Sequence, residues 1–195
     1  MKTKNPSQLT DQQLIHLYLN GEVESLSIII ERHKVKIFTS VFLLVKDRHI
    51  AEDIFQDVFV RVIDTFKAGK YSDEGKFLPW VMRIAHNMSM DYYRKLKRMP
   101  LVKTNCGDGI FEALNFTDVS ADENIVAKQR VDTVRKMIDT LPQDLREVVI
   151  LRQYGELSFK EIARITNCSV NTALGRMRYA LLNLRKLADE KQLAF

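Results

Sequence analysis

The stretch 158–184 constrains this chain more than any other, because its residue types dictate two helices meeting across a tight turn. Ser158-Phe-Lys-Glu161 has the form of a capping box: the serine hydroxyl accepts from the Glu161 amide, and the carboxylate reaches back. Ile162 and Ile165 then face inward, and Ala163 is small where two helices cross closely. Asn167 stands at the turn, and asparagine enters the left-handed backbone region more readily than most residues. Ser169 caps a second helix, which the spacing packs through Val170, Ala173, Met177, Ala180 and Leu184. Its opposite face carries Asn171, Thr172, Gly175, Arg176 and Arg178, all short, polar or basic. A helix lying in the major groove needs such a face: hydrogen-bonding groups for base edges, arginine for guanine or phosphate, and no bulk at closest approach. Free amides at the two helix N-termini, near Lys160 and near Asn171, suit phosphates. Each feature alone describes a solvated helix. Together, and in this order, they point to a DNA-binding helix-turn-helix.

The rest of the chain reads as helical too. Only 7 Gly and 4 Pro in 195 residues argue against a sandwich or barrel with many tight turns. Leu14, Leu17 and Tyr18, then Leu26, Ile29 and Ile30, predict short helices, and the run 37–45, apolar on nearly all sides, belongs at the centre of a small bundle. Ala51, Ile54, Phe55, Val58, Val62 and Phe66 recur at three- and four-residue steps, and Gly69 closes that helix before a polar loop. Another helix begins near Leu78-Pro79-Trp80 and stops before Pro100. Residues 101–121, including Cys106-Gly-Asp-Gly109, show no period and predict an extended, acidic linker. Ile125, Val131, Val134, Ile138 and Leu141 mark a further helix stopped by Pro142; Leu145, Val148, Val149 and Leu151 mark the next, ending at Gly155. The expectation is an all-α chain of two small helical domains, 8–100 and 122–191, joined by the linker 101–121.

The formal net charge of +5 says little, but its distribution says more. Arg83, Arg94, Lys95, Lys97, Arg98 and Lys103 follow one another with Asp91 as the only acid among them. Residues 105–126 then carry Asp108, Glu112, Asp118, Asp122 and Glu123 and no Lys or Arg, and Arg176, Arg178, Arg185 and Lys186 form a second basic set. Two basic surfaces separated by an acidic strip suggest two contact sites for polyanions. Cys106 and Cys168 lie far apart without ligand-forming neighbours, which reads as incidental thiols in a reducing compartment. His16, His33, His49 and His86 show no catalytic or metal spacing, and no glycine-rich phosphate loop is present. The reading is therefore of no enzyme, no cofactor and no metal. No apolar run is long enough to span a bilayer, and no hydrophobic segment follows the first charges, so a cytoplasmic protein without membrane insertion is expected.

At this point a family becomes recognisable. Leu141-Pro-Gln-Asp-Leu-Arg-Glu-Val-Val-Ile-Leu-Arg-Gln-Tyr-Gly-Glu-Leu-Ser-Phe-Lys-Glu-Ile-Ala163, with Ser169-Val-Asn-Thr-Ala-Leu-Gly-Arg-Met-Arg-Tyr-Ala180, resembles region 4 of the extracytoplasmic-function (ECF) sigma factors. Ala51-Glu-Asp-Ile-Phe-Gln-Asp-Val-Phe-Val-Arg61 resembles region 2.2 of that family. Phe77-Leu-Pro-Trp-Val-Met-Arg-Ile-Ala-His-Asn-Met-Ser-Met-Asp-Tyr-Tyr-Arg-Lys95 resembles its regions 2.3 and 2.4. The resemblance covers about 8–100 and 122–190, with two independent blocks in the family's order. It implies a protein that binds core RNA polymerase and directs it to promoters, region 4 reading the −35 element as duplex and region 2 opening and reading the −10 element. It also allows an anti-sigma factor as an inhibitory partner.

The site residues follow from residues and resemblance together. On the helix 51–66, Asp53, Gln56, Asp57 and Val60 form a second face mixing acid with an apolar side chain. The family implies that this face meets core polymerase, whereas acids near a helix N-terminus explain only Glu52 and Asp53 without a partner. On the helix 80–98, Trp80, His86, Asn87, Tyr92 and Tyr93 stand beside Arg83, Arg94, Lys95 and Arg98. Aromatic faces and cations hold unstacked bases, at roughly 1–3 kcal/mol per stacked base. Arg83, Asn87, Tyr92, Arg94, Lys95 and Arg98 are the candidates for single-stranded −10 DNA, with Asn87 implied by the family as the reader of a base turned out of the stack; Trp80 fits either the core or a stacking platform. Lys160, Ser169, Asn171, Thr172, Arg176, Arg178 and Tyr179 are the candidates for −35 duplex. The acidic linker either imitates nucleic acid in the polymerase channel, as the family suggests, or is a soluble tether. Leu174 and Gly175 depart from the family, which often has a basic residue and then Ser or Thr there; Leu174 makes no polar base contact. A stand-alone helix-turn-helix regulator is the alternative function, and it predicts a pocket-forming first half and palindromic operators.

Overall fold

Every regular element of the described residues is a helix; the computed structural model describes residues 8–72, 75–98 and 123–191. The chain divides into two compact units, with the described residues 8–98 in the first and 123–191 in the second. The segment read as the linker, 101–121, lies outside the described residues, as do Cys106, Lys103 and the side chain of Lys97.

The first unit comprises α1 (Asp11–Leu19), α2 (Glu24–Val45), α3 (Arg48–Lys67) and α4 (Phe77–Arg98). Thr10 and Gln13 open α1 with a capping box: Gln13 N–H donates to Thr10 Oγ1 at 3.3 Å and Thr10 N–H to Gln13 Oε1 at 3.0 Å. The sequence reading separated a short helix at Leu26–Ile30 from the run 37–45, but α2 is one helix of 22 residues. Leu26, Ile29, His33 and Ile37 continue one buried stripe through the polar middle, so no break is needed. Its end is buried all round from Val41 to Val45, and α2 packs against α1, α3 and α4 as the central helix of the bundle. Asp47 caps α3 by accepting from the Ile50 amide at 3.1 Å, and Gly69, at φ 62°, takes the left-handed turn that ends it. Between α3 and α4 an aromatic cluster fills the core: Phe77 lies 6.3 Å from Phe66, 6.1 Å from Trp80 and 5.7 Å from His33, ring centre to ring centre.

Asp11 pins α1 to α2. Its carboxylate accepts from Arg32 at 2.6 Å and lies 2.7 Å from His33 Nε2, while Arg32 also donates to the Leu9 carbonyl at 2.9 Å. Burial pushes the Asp11 carboxyl up, but the hydrogen bonds and charges of His33 and Arg32 together outweigh it and hold it below its ordinary 3.8. A depressed folded value means that the Asp11 contribution is present above the unfolded value and lost as pH falls through the folded one. Asp11→Asn is thus expected to lower the stability of the first unit by on the order of 1 kcal/mol at neutral pH. The gap from wild type should shrink below about pH 4, as urea unfolding at several pH values would show.

The second unit comprises α5 (Glu123–Thr140), α6 (Gln143–Gln153), α7 (Phe159–Ile165) and α8 (Val170–Glu190). Helix α8 packs against α6 and α7 through Ala173, Met177, Ala180 and Ala188, over a core of Val148, Ile150, Leu151, Leu157 and Ile162. The expected packing of α8 through Val170 and Leu184 needs correction. Val170 is 41% exposed, Leu184 is half-buried, and Ala188 extends the stripe instead. Val170 opens the helix, and a side chain there leans back over the preceding turn rather than into the helix crossing.

Candidate nucleic-acid interface

The turn between α7 and α8 is built as its residues demand. Ser158 N–H donates to Glu161 Oε2 at 2.8 Å and Glu161 N–H to Ser158 Oγ at 3.3 Å, closing the capping box. Asn167 takes φ 52°, and the Cys168 amide donates back to the Ala163 carbonyl at 2.9 Å, the six-to-one bond of a left-handed helix stop. Ser169 Oγ then accepts from the Thr172 amide at 3.0 Å and lies 2.8 Å from the Thr172 hydroxyl, so both side chains cap α8 while remaining exposed. Arg152, unforeseen in the sequence, braces the approach: its guanidinium lies 5.2 Å from the Phe159 ring centre and donates to the Leu157 carbonyl at 2.8 Å.

Helical geometry distributes the candidates on α8. Ala173, Met177 and Ala180 face the core, so Gly175 points directly outward, flanked by Asn171, Arg178 and Tyr179, all exposed, Tyr179 by 65%. Arg176 lies three residues after Ala173 and four before Ala180, which sets it at the core edge rather than beside Arg178. Its side chain is 27% exposed, with Nε 3.4 Å from Asp144 on α6. Leu174 lies on the opposite flank, four residues after Val170, and is 44% exposed. Gly175 is in the helix interior, where glycine costs roughly 0.5–1 kcal/mol relative to alanine. A Cβ there would meet nothing within 4 Å. Lys160 is exposed on α7.

In the first unit, α4 buries Phe77, Val81, Met82, Ala85, His86 and Ser89. Steps of three and four then leave Arg83, Asn87, Asp91, Arg94 and Arg98 along one exposed stripe, with the exposed Lys95 beside it. Arg94 pairs with Asp91 at 2.7 Å, an exposed pair of little energetic weight. The aromatic members behave differently from one another. His86, grouped with the contact-forming residues on sequence, is buried and belongs to the core. Tyr93 donates its hydroxyl to the Leu44 carbonyl at 2.5 Å, anchoring α4 to α2. Trp80 is half-buried against Tyr71 at 4.7 Å and stacked with Phe66 at 6.0 Å, in the same cluster as Phe77. Tyr92 is half-buried, and desolvation, then the Asp47 charge, raise its phenol above the ordinary value, so it remains a neutral hydroxyl at physiological pH.

On α3, Ala51, Ile54, Val58 and Val62 are buried, and Asp53, Gln56, Asp57 and Val60 are exposed together on another side, Val60 by 56%. Among the described residues nothing covers that valine fully, although it sits in mid-helix between acids and Arg61.

Both units match known sequence families. Residues 29–99 match sigma-70 region 2, and residues 132–182 match sigma-70 region 4. The chain is 30% identical to the ECF RNA polymerase sigma-E factor of Escherichia coli K12 over 194 residues, covering 94% of this chain and 95% of that protein. It is 27% identical to the RNA polymerase sigma-H factor of Pseudomonas aeruginosa, over 88% of this chain and 90% of that protein. Among solved structures, the fold resembles CnrH in complex with the cytosolic domain of CnrY, at a TM-score of 0.66 and 21% identity, covering 92% of this chain and 97% of that one. It also resembles the sigma factor RpoE of Bartonella quintana in complex with the anti-sigma factor NepR, at a TM-score of 0.59 and 17% identity, covering 83% and 96%. With both regions matched in order and a relative aligned over nearly its whole length, the chain belongs to the ECF sigma factors, which bind core RNA polymerase and direct it to initiate transcription at specific promoters.

Proposed function

We propose a division of labour in which the first unit holds core polymerase and the opened −10 element, and the second reads the −35 element as duplex, with residues 101–121 joining them. The observation that carries this reading is that each unit presents one exposed basic helix face whose opposite side is fully occupied by its own core. On α4, Arg83, Arg94, Lys95 and Arg98 follow the backbone of the separated strand, Asn87 reads a base through an amide that donates and accepts, and Tyr92 lies alongside. On α8, Asn171, Arg178 and Tyr179 reach base edges. Lys160, Ser169, Thr172 and the flanking Arg176 contact phosphates and fix the register. On α3, Asp53, Gln56, Asp57 and Val60 dock on the polymerase.

A protein working on polymerase and promoter DNA acts in the cytoplasm, and among the described residues no helix is long and apolar enough to cross a membrane. An anti-sigma factor is a further partner of this chain: the solved RpoE structure holds one, NepR, and both DNA-facing surfaces are open to such a protein.

Variants of the two faces test the division. Arg178→Ala is expected to lower protection of the −35 duplex by about tenfold, the scale of one base-reading arginine, and to do so more than Arg176→Ala, whose side chain is half-withdrawn toward Asp144. Asn87→Ala should leave that protection intact and reduce permanganate reactivity of −10 thymines. The reverse pattern, with Arg178→Ala impairing only strand opening, would refute the assignment.

A further inference from the structure

Gly175 has no explanation inside its own unit. The position is helical, a Cβ would meet nothing within 4 Å, and a glycine there destabilises the helix. It is half-buried on the side of α8 opposite Ala173, Met177 and Ala180, among exposed side chains. A missing side chain at that point serves whatever approaches from outside. Beside it, Val170 and Leu174 are 41% and 44% exposed and lie four residues apart, hence on one side of the helix. Arg178 follows Leu174 at the same step, and the next exposed leucine on that side, Leu181, lies seven residues beyond Leu174.

We propose that α8 recognises thymine by an apolar contact, Leu174 backed by Val170 packing on C5-methyl groups, with Gly175 admitting the backbone close enough for it. The inference rests on the second unit reading −35 duplex, and it names the base class that this unit selects. In the major groove thymine alone among the four bases presents an apolar group, a methyl at C5, where cytosine carries only a hydrogen. A leucine there covers the thymine methyl and finds no such group on cytosine. Position along the helix separates this pair from the other exposed leucines. At 1.5 Å per residue, the segment from Asn171 to Arg178 spans about 10 Å, comparable to the width of the major groove. Leu174 lies in the middle of that span, while Leu181 and Leu182 lie roughly 10 Å further along the axis.

The test uses holoenzyme assembled from the full chain and core polymerase. It first selects tight binders from promoter duplexes with a randomised upstream segment. Each thymine of the selected site is then replaced by deoxyuridine, which removes only the methyl group, and each cytosine by 5-methylcytosine. Wild type should lose about fourfold in affinity at one or two thymines, the factor corresponding to about 0.8 kcal/mol for one buried methyl. Leu174→Ala should abolish that sensitivity while keeping discrimination at positions read by Arg178. Gly175→Ala should raise the melting temperature yet weaken binding to the selected site. Uracil tolerance by wild type overturns this inference alone, as does uracil sensitivity that persists unchanged in Leu174→Ala. Failure of the selection to enrich any upstream sequence overturns both the inference and the −35 reading beneath it.

Discussion

Asp57→Arg is expected to lower the affinity of this protein for core RNA polymerase by on the order of tenfold to a hundredfold, the scale for reversing a charge within an interface. The side chain is exposed on α3, on the same side as Asp53, Gln56 and Val60 and away from the buried Ile54 and Val58. The fold therefore has little to lose. Arginine is a good helix former, and an exposed substitution away from core, caps and buried pairs typically changes stability by no more than about 0.5 kcal/mol. Binding to labelled core enzyme reads the first effect and thermal unfolding the second. Val60→Ala should weaken the same complex without altering its salt dependence, because it removes apolar area rather than charge. Core affinity that survives Asp57→Arg but falls in Arg178→Ala would contradict the roles given to the two units.

Phe77→Ala should have the largest effect on stability. Phe77 is 2% exposed, opens α4, and touches the rings of His33, Phe66, Tyr71 and Trp80. Emptying such a site costs about 3–5 kcal/mol, against a total of about 5–15 kcal/mol for an ordinary domain. The chain has 1 Trp, and Trp80 stands in this cluster, so its fluorescence reports on the first unit alone. The tryptophan-detected transition should move to much lower denaturant, and −10 opening should fail with it, because the stripe from Arg83 to Arg98 rides on the same helix. Phe77→Leu, which retains most of the volume, should restore most of the loss. An unshifted tryptophan transition in Phe77→Ala would contradict this account of the core.

The elements legible in the sequence are those governed by local chemistry. Ser158 with Glu161, Asn167 and Ser169 specify the turn of the second unit by capping and backbone preference, and the structure realises each with the expected hydrogen bond or dihedral angle. The stripe through Ala51, Ile54, Val58 and Val62 was likewise legible, because period alone fixes which side is buried. What escaped depends on partners distant in sequence. His86 looks like a contact residue among aromatics and bases, yet its place on the α4 stripe turns it into the core. Tyr93 meets the Leu44 carbonyl across 49 positions, and Arg176 meets Asp144, neither pairing marked by any local pattern. The continuity of α2 was obscured because the polar residues between Glu31 and Lys36 interrupt a one-dimensional reading, while the buried His33 keeps the stripe unbroken in three dimensions. The polar side of α8 was thus legible as an exposed surface, but the shift of Arg176 to its edge required the packing of α6.

The measurement that bears most directly on the central claim is reconstitution: purified protein added to bacterial core RNA polymerase on promoter templates selected by the holoenzyme. Defined transcripts should start downstream of the selected −10 and −35 elements, only when both protein and core are present. Association with core should weaken in Asp57→Arg, and use of the selected −35 element should weaken in Arg178→Ala. No association with core, together with tight and palindromic duplex binding by the protein alone, would contradict a sigma factor and favour a stand-alone regulator.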